Sequence, residues 1–136
     1  MYPFATALTQ EIDWAAAQKA LNVYSTLNLN GRVHFPNGTY LIAEELVYIG
    51  TVASNVRITG DAVRASTIRF NGAAGAFNVL RVAGSSHTII ENITLDANAR
   101  AKHCFYAENY DVPNPDVGLT GLSCYNVDFN YAVGIG

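Results

Sequence analysis

A chain of 136 residues, half of them hydrophobic and only 14% charged, holds enough apolar material for one packed domain and is too apolar for a disordered one. Its net charge of −3 lacks the basic excess of a general nucleic-acid binder, and no apolar run reaches the length that spans a bilayer, so neither nucleic acid nor membrane is the expected partner. Met1-Tyr2-Pro3-Phe4 lacks the basic-then-apolar order of a signal peptide, which fits a virion protein, a chain without its leader or a cytoplasmic protein. Cys104 and Cys124 do not form a disulfide framework; their apolar neighbours predict two reduced, buried thiols.

Residues 1–12 read as an extended lead-in, with Phe4, Leu8 and Ile12 available for packing. Asp13 suits an N-cap, because a carboxylate accepts from the free N–H groups of a first helical turn. At 100° per residue, Trp14, Ala16, Ala17, Ala20, Leu21, Val23, Tyr24 and Leu27 fill one half of the wheel, which predicts an amphipathic helix over 13–27. Asn28-Leu29-Asn30-Gly31 ends it. Val33 and Phe35 then alternate with Arg32 and His34, Pro36-Asn37-Gly38 turns the chain, and Tyr40-Leu41-Ile42 resumes the strand. Short apolar runs follow at 46–49, 55–61, 67–72, 79–82, 88–90, 92–96, 103–106, 119–122 and 126–129, punctuated by Gly, Asn, Asp and Ser. Sandwich and solenoid both fit that strand count. The echo Asn55-Val56-Arg57-Ile58, Asn92-Ile93-Thr94-Leu95 and Asn126-Val127-Asp128-Phe129 favours a solenoid with coils of roughly 20–35 residues. Asn at a coil corner tolerates φ > 0, and its amide can bond to the Asn of the next coil; unrelated turn asparagines are the alternative. Val112-Pro113-Asn114-Pro115 reads as a loop between two strands of one coil.

Gly31-Arg32-Val33-His34-Phe35-Pro36-Asn37-Gly38-Thr39-Tyr40 matches a G-x-V-x-x-P-x-G-x-Y segment, and Asp13, Ala16, Gln18, Ala20 and Leu21 fit the D-x-x-A-x-Q-x-A-L pattern before it. Together they resemble the N-terminal end of the pectate-lyase-like, right-handed parallel β-helix superfamily. Phe4-Ala5 sits where that superfamily often has a phenylalanine-glycine-alanine strand, but its glycine-aspartate-glycine loop is absent. The resemblance implies an all-β, single-stranded right-handed parallel β-helix with a capping helix at about 13–27, residues 1–136 forming one domain and the N-terminal part of a longer solenoid. It implies polysaccharide as the partner and a virion or extracellular setting, since the superfamily includes polysaccharide lyases, glycosidases, uronate epimerases, phage tailspikes and adhesins.

The residues that could carry chemistry gather late in the chain. Leu95 to His103 is a polar loop after a strand, similar to the L-D-G-N loop of phage and epimerase-like β-helices, and Asp96, Arg100, Lys102 and His103 could face a sugar acid; equally, Asp96 could cap its own turn and the two cations could be solvated. Tyr106 belongs to a dense group of tyrosines that suit either sugar stacking or the core. Asn114-Pro115-Asp116 matches part of the N-T-D element of polygalacturonases and reads equally as a turn. The paired Asp-Asp, G-H-G and R-x-K elements of those enzymes, the R-x-P-x-x-R element of pectate lyases and the aromatic-rich histidine element of mannuronan epimerases are missing. His34 should point outward and be inert, no His or Cys pair has zinc spacing, and calcium held by Asp96 or Asp116 is the one metal left open.

The first expectation is therefore a polysaccharide-directed module, tailspike- or lyase-like, acting as scaffold and carbohydrate-binding wall. A non-catalytic structural or adhesive component of a virion fibre or spike is the alternative, and a small complete lyase or glycosidase a weaker one. Phe129 to Ile135 is still written in strand-and-turn grammar, which predicts further coils, a homotrimer or another partner chain over that end.

Overall fold

The computed structural model describes residues 12–27, 30–50, 56–75, 77–108 and 119–133. They form one helix, α1 (Ile12–Leu27), and eleven strands. These are β1 (Gly31–Phe35), β2 (Gly38–Ile42), β3 (Leu46–Ile49), β4 (Val56–Gly60), β5 (Ser66–Phe70), β6 (Leu80–Ala83), β7 (Ser85–Ser86), β8 (Ile89–Asp96), β9 (Phe105–Glu108), β10 (Leu119–Thr120) and β11 (Ser123–Asn130). Phe4-Ala5, Asn55 and the loop at 112–115 lie outside the described residues.

Every strand pairing among the described residues is parallel. Gly31 lies against Val56, Arg57 against Ile89 and Ile89 against Ser123, so one ladder is revisited every 25 to 34 residues. A second ladder runs Thr39–Thr67–Thr94–Asp128, and a third Leu46–Leu80–Phe105. The first two belong to one six-stranded sheet, ordered β1-β4-β8-β5-β2 with β11 also on β8, which curls until it is nearly closed. The third is a separate sheet, β3-β6-β9, and β7 pairs with β10.

The curl has a local cause. The strands expected at 88–90 and 92–96 are one bent strand, β8, whose first half pairs with β4 and whose second half pairs with β5. The bend falls at Asn92, at φ 56°, and β11 bends in register at Asn126, at φ 51°. Asn126 Nδ2 donates to Asn92 Oδ1 at 2.9 Å. Two members of the Asn echo therefore sit at stacked corners, the use anticipated for them.

Side chains alternate about the strands, and the inward ones make a single core. Val33, Ile58 and Ile90 stack in one column, Ile68 and Leu95 in another, Leu46 and Leu80 in a third, all nearly or fully buried. The columns open at the last layer. Leu95 pairs with Phe129, which is 49% exposed, and Ile90 pairs with Cys124, which is exposed. The expectation of two buried thiols therefore holds for Cys104 alone: β11 has nothing described on its outer edge to cover Cys124.

At the opposite edge lies α1, with Ala15, Ala17 and Leu21 buried and Trp14, Ala20 and Tyr24 packed on the core. The apolar face is rotated from the expected one, since Ala15 is buried and Ala16 exposed. Asp13 sits inside the first turn instead of capping it, and its Oδ2 accepts from Leu41 N at 3.0 Å. Gln18 brackets Val47, accepting from its N–H at 2.8 Å and donating to its carbonyl at 2.7 Å, and Trp14 Nε1 donates to Glu45 O at 3.0 Å. The helix thus satisfies backbone groups of an edge that would otherwise stay open. A Cβ at Gly31 would collide with the Tyr24 ring, so the helix packs on a glycine where β1 begins.

Candidate functional site

The outer face of the β3-β6-β9 sheet carries a polar constellation drawn from all three of its layers. Leu80 and Val82 point into the core, so Arg81 points out, in register with Val47 and Tyr106. The segments entering the three strands add Glu45, Asn78, Lys102 and His103. Glu45, Asn78, Arg81, Lys102, His103 and Tyr106 together line a cleft of about 250 Å³.

One hydrogen-bonded chain and one chain of ion pairs cross it. In the first, Asn78 Nδ2 donates to Glu45 Oε2 at 2.9 Å, and Asn78 Oδ1 lies 2.9 Å from His103 Nδ1. A carboxylate accepts only, so it fixes which end of the amide faces it. The amide oxygen left facing His103 needs a donor, so Nδ1 carries the proton and a neutral His103 presents a lone pair at Nε2. In the second, Arg81 Nη1 donates to Glu108 Oε1 at 2.8 Å, and Arg81 Nε lies 3.5 Å from Glu45 Oε1. That Nε–H is buried and makes no hydrogen bond. Tyr106, 40% exposed, stacks one face on His103, with ring centroids 5.8 Å apart and planes 20° apart. Lys102 is exposed at the rim.

Of the residues named from sequence, Lys102, His103 and Tyr106 converge here. Asp96 does not. It is 3% exposed, its Oδ2 accepts from Arg69 Nε at 2.8 Å, and its Oδ1 accepts from Asn98 N at 2.8 Å. It anchors its own turn and the neighbouring strand. Arg100 is exposed, with Nη1 3.4 Å from Gly72 O and no place in the cleft wall. Asp116 lies outside the described residues. Glu45, Asn78, Arg81 and Glu108 were not singled out, although a charged Arg81 within Val79-Leu80-Arg81-Val82 was a readable sign of an outward position. Both oxygens of Asp96, one of the two residues considered for calcium, are taken by protein donors, and among the described residues no three of His, Cys, Asp and Glu gather as metal ligands.

A second constellation imitates a catalytic triad. His34 Nδ1 lies 2.8 Å from Thr59 Oγ1, and its Nε2 lies 2.9 Å from Asp61 Oδ1. Thr59 is 3% exposed, too buried to meet a substrate, and it is the ladder partner of His34. Asp61 Oδ2 also accepts from Asn37 N at 2.8 Å. The group ties a turn to its neighbouring layer, with His34 pointing outward as expected.

No family model, curated protein or solved structure matches the chain.

Proposed function

We propose that the chain is a right-handed parallel β-helix module of the pectate-lyase-like kind that engages polysaccharide, with the Glu45–Tyr106 cleft as its carbohydrate contact. The fold half of this reading rests on three parallel ladders revisited at similar intervals, on stacked Asn corners and on a helix across the first edge; parallel crossovers are right-handed in about 98% of cases. The function half rests on one observation. A half-exposed tyrosine ring, a rim lysine and an oriented imidazole share a cleft with the fixed Glu45 carboxylate. Sugars are recognised by such a set, since a ring face packs on C–H groups while charged and polar atoms take hydroxyls and carboxylates.

Screening the whole chain on an array of acidic, capsular and neutral glycans tests the reading. Tyr106→Ala and Lys102→Ala should each weaken the best ligand at least tenfold, while an array with no binder removes the proposal. The open edge of β11 supports a second reading, a structural or adhesive component of a virion fibre or spike. Tyr125, Phe129, Tyr131 and Val133 are exposed there at 49–73%, a face suited to another copy or a partner chain over Phe129 to Ile135, of which Gly134 and Ile135 lie outside the described residues. Sedimentation velocity separates the readings: concentration-dependent trimers or dimers lost in Phe129→Ser favour the second.

A further inference from the structure

We propose, resting on the cleft as a glycan contact, that His103 is a specificity-determining residue whose protonation changes which glycan the cleft prefers. The argument starts from the Glu45–Asn78–His103 chain. It holds the imidazole by Nδ1 and commits that nitrogen to donating. All change on protonation is therefore concentrated at Nε2, for which no protein partner is found among the described residues. A neutral Nε2 is an acceptor and takes a sugar hydroxyl. A protonated Nε2 is a charged donor, next in sequence to Lys102 and on the same cleft wall, and takes a carboxylate.

The surroundings suit a swap of this kind. Glu45, Arg81 and Tyr106 line the cleft with the imidazole, Glu108 is ion-paired to Arg81, and Lys102 and the Cys104 thiol adjoin His103 in the chain. The β11 side adds Phe129 and Ala132, which carry no charge. Glu45 and Glu108 are both engaged by Arg81, so the charge added at Nε2 is not cancelled by an idle carboxylate beside it. Stacking on Tyr106 holds the ring plane while the charge changes.

The test uses a matched pair of probes on the full chain: an oligogalacturonate and its methyl ester, which differ in charge but not in ring hydroxyls. Calorimetry between pH 5 and pH 8 should show the acid-to-ester affinity ratio rising about tenfold toward pH 5, with proton uptake on binding the acid. His103→Gln should flatten that ratio. Nitrogen-15 imidazole shifts should report the Nδ1–H tautomer at pH 8 and a mixture in Asn78→Ala. A ratio independent of pH, a dependence that survives in His103→Gln, or an Nε2–H tautomer in the parent each overturns the switch and leaves the glycan reading standing. Binding of neither probe, with an empty array, overturns both.

Discussion

Asn92 and Asn126 show how much a single residue contributes to this architecture. Both hold φ > 0, where most L-residues are strained by about 1–2 kcal/mol, and they share a side-chain hydrogen bond. Asn92→Val should therefore cost about 2 kcal/mol and Asn92→Gly less than half of that, as read by urea denaturation; equal losses would mean the backbone conformation is not what matters. Asp96→Ala should cost about 2 kcal/mol in the same denaturation by removing charge-assisted bonds to Arg69 and Asn98. Burial pushes the Cys104 thiol above its ordinary range, while Sγ donates to Asn130 O at 3.1 Å. Tyr40 is likewise raised, first by burial and then by Asp13 and Asp61. Both groups stay neutral in the fold at a pH where the unfolded chain ionises them. Their contribution is full below the unfolded values and is lost as pH rises through the folded ones. Cys104→Ala and Tyr40→Phe should each flatten the alkaline loss of stability in a pH series of melting curves. At this scale the sequence was legible where a residue type has one use. Asn at corners was readable; the fate of Asp96 was not, because capping a turn and facing a ligand ask for the same carboxylate, and only its distance to Arg69 decides.

At the scale of the element, α1 is where motif and physics coincide. The matched Asp13 and Gln18 are the side chains that bond to Leu41 and Val47, and Gly31 is the residue on which Tyr24 packs. Trp14→Ala should cost about 2–3 kcal/mol, toward the low end for a buried aromatic because the ring is only half-buried. Gln18→Ala should cost about 1–2 kcal/mol by leaving both Val47 backbone groups without their partner. A Trp14→Ala chain that melts with its parent would remove the capping role of α1. Helix and strand positions were readable from periodicity, but the rotation of the helix was not. Ala15 and Ala16 are equally apolar, and the choice between them is made by where Leu41, Glu45 and Val47 offer backbone groups. The merging of two expected strands into β8 has a similar origin, since a bend that keeps the ladder intact leaves no polar break in the sequence.

Across the whole molecule, the cleft is assembled from segments far apart in the chain: Glu45, Asn78 and His103 meet only because successive layers stack in register. That is why Lys102, His103 and Tyr106 could be named from a local polar loop while Glu45 and Asn78 could not. The same stacking makes the two edges unequal. One is closed by Asp13, Trp14 and Gln18, the other exposes Tyr125, Phe129 and Tyr131. A thiol reagent should therefore label Cys124 in the native protein and reach Cys104 only on unfolding. Equal labelling rates would contradict the burial of Cys104 beneath the last layer.

The bonds from α1 to Glu45 and Val47 carry one more consequence. The helix holds the main chain of the very segment that supplies a wall of the cleft. Any molecule that binds better with Glu45 in place must bind better when the helix is docked, and by thermodynamic reciprocity it must hold the helix down by an equal free energy. Occupancy and fraying are then one equilibrium seen from two sides. A molecule that saturates the cleft should slow deuterium uptake at the Val47 amide and along α1, and weakening the helix through Gln18 should loosen that molecule to the extent that the undocked helix becomes populated.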